Sequence, residues 1–136
     1  MSNITQVVND NKDMTTLKKG VIASGLDKVL NGTGPFTVFA PSDLAFKKMD
    51  AKKLETLLKP ENKTKLEDIL KFHIVAGKLS FNDLKDGEKL KTVNGQELLV
   101  RVKDGHVKVQ GVQIENHDLQ SSNGVIHVMD TVMTKN

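Results

Sequence analysis

The spacing of apolar residues changes part-way along this chain, and that change restricts it to folds in which helices precede a sheet. Met14, Leu17 and Val21 recur at helical intervals behind Asp13, a residue suited to an N-cap. Leu26, Val29 and Leu30 follow Gly25, and Gly20 inside the run costs ~1 kcal/mol relative to alanine, which admits a break there. Leu54, Leu57 and Leu58 share one face of a further helix that Asp50 caps and Pro60 stops. Thr64 and Glu67 have capping-box spacing, and behind them Leu66, Ile69, Leu70 and His73 fall on one helical stripe. From Leu90 the period is two: Leu98, Val100 and Val102 alternate with Glu97, Leu99, Arg101 and Lys103, and Val107 and Val109 alternate with Lys108 and Gln110.

Turn chemistry divides these runs. Asn31-Gly32-Thr33-Gly34-Pro35 precedes a short apolar strand, Phe36 to Phe39, after which Pro41 keeps Ala40 extended and Ser42 stands at a helix N-cap with Asp43 in its first turn. Helix gives way to strand near Phe72-His73-Ile74-Val75, and Ser80 with Asp83 suggests one more helical turn. Asn94-Gly95 and Asp104-Gly105 are strong hairpin signals, and Ile114 continues the alternation past Gly111. Asn123-Gly124 turns into Val125–Met129, an apolar run suited to a strand covered on both faces. The expected class is α+β.

The 136 residues suit one domain, residues 1–136, and 38% hydrophobic with 27% charged residues is ordinary for a folded protein. With no cysteine, the chain has no disulfide, thiolate nucleophile or cysteine-held metal. No apolar run approaches the ~18 residues of a membrane span. The N-terminus lacks the basic start and apolar stretch of an export signal, so the chain is expected to be either cytoplasmic or a form from which a signal was removed. The net charge of +3 comes almost wholly from lysine, Arg101 being the sole arginine, and with no Trp or Tyr the chain lacks the forks and stacking platforms of a nucleic-acid binder.

The candidate chemistry is sparse. His106 belongs to a hairpin, the neighbours His117 and Asp118 diverge if extended, and His127 and Asp130 fall on opposite faces of a strand. His73, on the apolar stripe, reads as a core histidine bonded to backbone or carboxylate. Ser42 is in no nucleophile elbow, and the glycines form no phosphate-binding loop. The expectation is a chain that is not an enzyme and holds neither metal nor cofactor.

Three ordered segments carry a resemblance. Gly34 to Phe46 (GPFTVFAPSDLAF) resembles the first signature of fasciclin domains, and Val125 to Met133 (VIHVMDTVM) resembles the second. Phe72-His73-Ile74-Val75 is similar to the family's tyrosine-histidine segment, with Phe72 at the tyrosine's place. The resemblance spans essentially the whole chain. It implies a wedge or sandwich of two β-sheets with helices wrapped along one side, and a non-enzymatic adhesion or interaction role at the cell surface or outside the cell. The alternative role is a cytoplasmic accessory or scaffold subunit.

Some adhesion members of the family are proposed to engage integrins through an Asp-Ile pair beside the tyrosine-histidine segment, and Asp68-Ile69 stands just before Phe72-His73. Independently, eight lysines against five acids between Lys47 and Lys71 make Lys52, Lys53 and Lys63 candidate contacts for a protein or glycan partner of a monomeric domain. Asn3-Ile4-Thr5, Asn31-Gly32-Thr33 and Asn62-Lys63-Thr64 match the glycosylation triplet, which has meaning only in a secreted eukaryotic protein.

Overall fold

Asn3 starts the first helix, α1 (Ile4–Asp10): its side chain accepts from the Gln6 N–H at 2.9 Å, and the Gln6 side chain accepts from the Asn3 N–H at 2.9 Å. These are the first residues described by the computed structural model, which covers 3–12, 14–32, 35–48, 51–129 and 131–132. Ile4 and Val8 give α1 a buried edge that no periodic run had signalled.

The next helix, α2 (Thr15–Ser24), runs unbroken through Gly20. A Cβ at Gly20 would lie 3.4 Å from Leu70 Cδ1, so the glycine brings this helix close to α6 (Lys63–Lys71). Its C-cap is Gly25, in the left-handed region at φ 79°. Its N-cap position is held by Met14, without a side-chain bond, and the cap is supplied from another helix. Asp43 of α4 (Asp43–Lys47) accepts from the Thr16 N–H at 2.8 Å and the Thr15 hydroxyl at 2.7 Å. Burial raises the Asp43 pKa, but these bonds outweigh it and hold the carboxyl below its ordinary value. The Asp of the first signature thus ties two helices together as well as sitting in the first turn of its own.

Two short helices complete the layer, α3 (Asp27–Leu30) and α5 (Ala51–Leu57), with Pro60 opening a single 3-10 turn after the latter. Asp13 and Asp50, expected as caps, lie outside the described residues. Ser42 caps α4 as expected, accepting from the Ala45 N–H at 3.4 Å. Thr64 does not cap α6: the helix starts one residue earlier, and Glu67 instead pairs with Lys71 at 2.8 Å.

The strands are β1 (Phe36–Pro41), β2 (Ile74–Ala76), β3 (Lys89–Lys91), β4 (Glu97–Lys103), β5 (His106–Val109), β6 (Val112–Ser121) and β7 (Gly124–Met129). They form one sheet in the order β2-β1-β7-β6-β5-β4-β3. Every pairing is antiparallel except β1 with β7, which run parallel from Phe36 opposite Gly124 to Pro41 opposite Met129. Register shifts in β6 between Ile114, Asn116 and Leu119 bend that strand, so one end serves β5 and the other β7. The sheet therefore doubles over, and a bridge from Val75 to Thr92 nearly closes it.

Alternation along the central strands sorts the interior into two cores. Val38, Ala40 and Ile126 join Leu17, Val21, Leu66 and Leu70 beneath the helices. On the other face Phe39 and Met129 meet Leu98, Val100, Val107 and Val109 between the two halves of the sheet. This is the α+β sandwich with helices along one side that the resemblance implied, its two layers continuous through β6.

Candidate functional site

The tyrosine-histidine segment lies between the two cores. Phe72 ends α6 and is buried in the core between the sheet layers. His73, 1% exposed, directs Nδ1 at the Ile69 carbonyl, 2.9 Å away. A carbonyl only accepts, so this nitrogen carries the proton. His127, fully buried on β7, likewise donates from Nε2 to the Leu79 carbonyl at 2.7 Å, and its ring stacks on Phe39 at 5.7 Å. Beside it the Thr37 hydroxyl donates to the Gly77 carbonyl at 2.6 Å and accepts from the Leu79 N–H at 2.8 Å. The buried polar groups of the central strands thus pin the loop that follows β2.

Of the Asp68, Ile69, Phe72 and His73 group, only Asp68 is exposed. Its carboxylate and carbonyl both accept from the Asn94 side-chain amide, at 3.2 and 3.3 Å, which docks the β3–β4 turn on the end of α6. Ile69 is half-buried against the helix-side core. A partner arriving here would meet Asp68 and the edge of Ile69, with Phe72 and His73 supporting them from below.

The lysines divide differently from their order in sequence. Lys52 and Lys53 of α5 line an open groove of about 350 Å³ with Thr56, Asn62 and Lys65. Lys63 extends toward Gly25, so that a Cβ there would lie 3.6 Å from Nζ. This places its charge at the negative end of α2, where a cation is stabilising. Lys65 is the groove residue that spacing missed; the signal was its position two after Lys63, across the helix and toward α5. Asn62 donates to the Thr56 carbonyl at 2.7 Å, which fixes the floor of the groove and occupies the amide of one glycosylation triplet. His106 is exposed at the start of β5, while the side chains of His117 and Asp118, and all of Asp130, lie outside the described residues. Among the described residues no three His, Asp or Glu side chains gather as metal ligands, and no helix is long and apolar enough to cross a membrane.

The model of the Fasciclin domain matches residues 12–135. The chain belongs to the fasciclin domain family. Protein sll1483 of Synechocystis is 43% identical over 96% of this chain and 72% of its own length. A second Synechocystis protein, the uncharacterized sll1735, is 35% identical, with 98% of each chain covered. The pig transforming growth factor-beta-induced protein ig-h3 is 34% identical, but this chain spans only 19% of it. In structure, the domain pair from the insect cell adhesion molecule fasciclin I matches at a TM-score of 0.87 and 19% identity, over 98% of this chain and 51% of that one.

In this fasciclin domain the buried histidine of the tyrosine-histidine segment has a measurable signature. Burial lowers the His73 pKa from 6.5 to about 4, and the bond to Ile69 offsets this only in part. Above pH 6.5 the ring is neutral in both states; between there and about 4 the unfolded chain binds a proton that the fold refuses. Stability should therefore fall on acidification through that window, on the order of 3 kcal/mol from this residue. His73→Ala should cost roughly 1–3 kcal/mol at pH 7 and flatten the pH dependence. Urea unfolding of both proteins at pH 7 and 4.5 tests this. An equal loss in the variant at both pH values would show that His73 titrates normally in the fold.

Proposed function

We propose that residues 1–136 form one interaction module, non-enzymatic and acting at the cell surface or outside the cell, whose α5–α6 face meets an acidic protein or glycan. The observation that carries this reading is the convergence of Lys52, Lys53 and Lys65 on one open groove. Three ammonium groups held on two packed helices steer an anionic partner and leave the contact sensitive to salt. Asp68 and Ile69 lie further along α6 and extend the same surface. Family membership supports the reading, as does the description of the structural neighbour as a cell adhesion molecule.

The test is the binding of labelled domain to intact cells of the source organism across a salt series. The triple variant Lys52→Glu, Lys53→Glu, Lys65→Glu is the comparison, with folding checked by circular dichroism. Binding that weakens with salt, and at least about tenfold in the folded variant, is the expected result. A variant that binds with unchanged affinity and salt slope would remove this face from consideration. Capture of cytosolic partners alone, with no binding to cells, would favour the scaffold role instead.

A further inference from the structure

The outer face of the β4–β5 hairpin carries a charge arrangement that folding alone does not favour. Strand alternation sends Leu98, Val100, Val107 and Val109 inward, leaving Arg101, Lys103, His106 and Lys108 exposed on the other side. The register then sets Arg101 directly opposite Lys108, and Lys103 opposite His106. Like charges facing one another across a ladder are destabilising. The chain's sole arginine sits in the middle of this group. Arg101, Lys103 and Lys108 have no ion pair or side-chain hydrogen bond among the described residues.

These side chains line an open groove of about 660 Å³ that shares no residue with the α5–α6 groove. Its volume is within the ~300–1,000 Å³ of small-ligand clefts. The lining is not uniformly basic. Asp86, whose carboxylate accepts from the Val102 N–H at 3.0 Å, and Asp104 in the turn add two acids, and the Gln113 amide lies 3.4 Å from His106 Nδ1.

That mixture selects among anions. A densely sulfated polymer would meet the two carboxylates at every placement and be repelled by them. A chain with one carboxylate per sugar, and hydroxyls between, matches cations spaced among hydroxyl acceptors. A guanidinium fork fits a planar carboxylate with two parallel bonds. An added peptide strand fits poorly along β4, since β3 already covers Glu97–Leu99 and the Asp86 carboxylate holds the Val102 N–H beyond it. No Phe, Tyr or Trp lines the groove as a broad platform for bases to stack on. We infer that the outer face of the β4–β5 hairpin is a carbohydrate site for a uronate-type, carboxylate-bearing polysaccharide.

Affinity electrophoresis of the whole domain through gels containing polygalacturonate, neutral dextran or dextran sulfate tests the inference. Retardation by polygalacturonate and not by neutral dextran is expected, with a loss of at least about tenfold in affinity for the Arg101→Gln, Lys108→Gln double variant. The same variant should melt no lower than wild type, since it removes a like-charge pair. The Lys52, Lys53 and Lys65 charge-reversal variant should be retarded as wild type is, which keeps this site independent of the α5–α6 reading. Wild type that passes polygalacturonate unretarded would overturn the proposal. So would equal retardation of wild type and a folded double variant, or stronger retardation by dextran sulfate that survives the substitutions.

Discussion

Gly124→Ala should be the most damaging single methyl group in this protein. Gly124 opens β7 opposite Phe36, and a Cβ there would lie 1.9 Å from the Phe36 carbonyl oxygen and 2.9 Å from Ile4 Cδ1. The first of these is backbone, so no rotamer change relieves it. Relief requires β1 and β7 to separate at the start of the parallel pairing, where the Phe36 N–H donates to the Asn123 carbonyl at 2.9 Å. Overpacking costs typically 1–3 kcal/mol where side chains can yield; against a strand backbone the expected loss is at least ~4 kcal/mol. That corresponds to a fall in Tm of more than about 10 °C. Gly95→Ala is the control: its φ of 87° strains an alanine, but nothing lies within 4 Å of the added carbon, so the loss should stay near ~1–2 kcal/mol. Thermal melts of the two variants decide the matter. Equal losses would mean that the β1–β7 junction yields to a methyl group as readily as an exposed turn.

Asn123→Ala should come second. This side chain accepts from the Ile4 N–H at 2.9 Å and donates to the Leu30 and Gly32 carbonyls at 2.6 and 2.9 Å. One amide thus fastens the start of α1 and the end of α3 to the turn before β7. Its removal deprives one donor and two acceptors of a partner, mostly away from water, and an expected cost of ~3 kcal/mol follows. Asn123→Asp keeps the acceptor but sets a carboxylate against two carbonyl oxygens, so it should not rescue stability. Denaturant midpoints measure the loss, and hydrogen exchange at Ile4 should speed up in both variants. A midpoint close to wild type for Asn123→Ala would show that water replaces all three bonds.

Local chemistry accounts for what was readable beforehand. Ser42, the Ser80 and Asp83 pair, and the backbone turns at Asn94, Asp104 and Asn123 form within a few residues, as their spacing implied, whereas the long-range side-chain bonds of Asn94 and Asn123 were not legible. The helical and alternating periods located most elements for the same reason. Asp43 shows where that stops. Its own first turn was legible, whereas its bonds to Thr15 and Thr16 depend on how two helices meet. The parallel pairing of β1 with β7 was invisible too, because alternation marks a strand but not its neighbour. At the candidate sites, spacing grouped Lys63 with Lys52 and Lys53, and helix packing put Lys65 in its place. The facing of Arg101 and Lys108 was one register short of legible: the Asp104-Gly105 turn implies it once the hairpin loop is known to hold two residues.

The partnership of β1 with β7 also sets a schedule for synthesis. β1 ends at Pro41 and β7 begins at Gly124, so a ribosome adding ~5–20 residues per second takes roughly 4–17 s to supply the second after the first. Throughout that interval β1 has no parallel neighbour, and the helices made with it cover a core that still lacks Ile126. The nascent domain therefore stays open until β7 is made, available during translation to whatever binds or threads unfolded polypeptide, and commits to its final shape only after that.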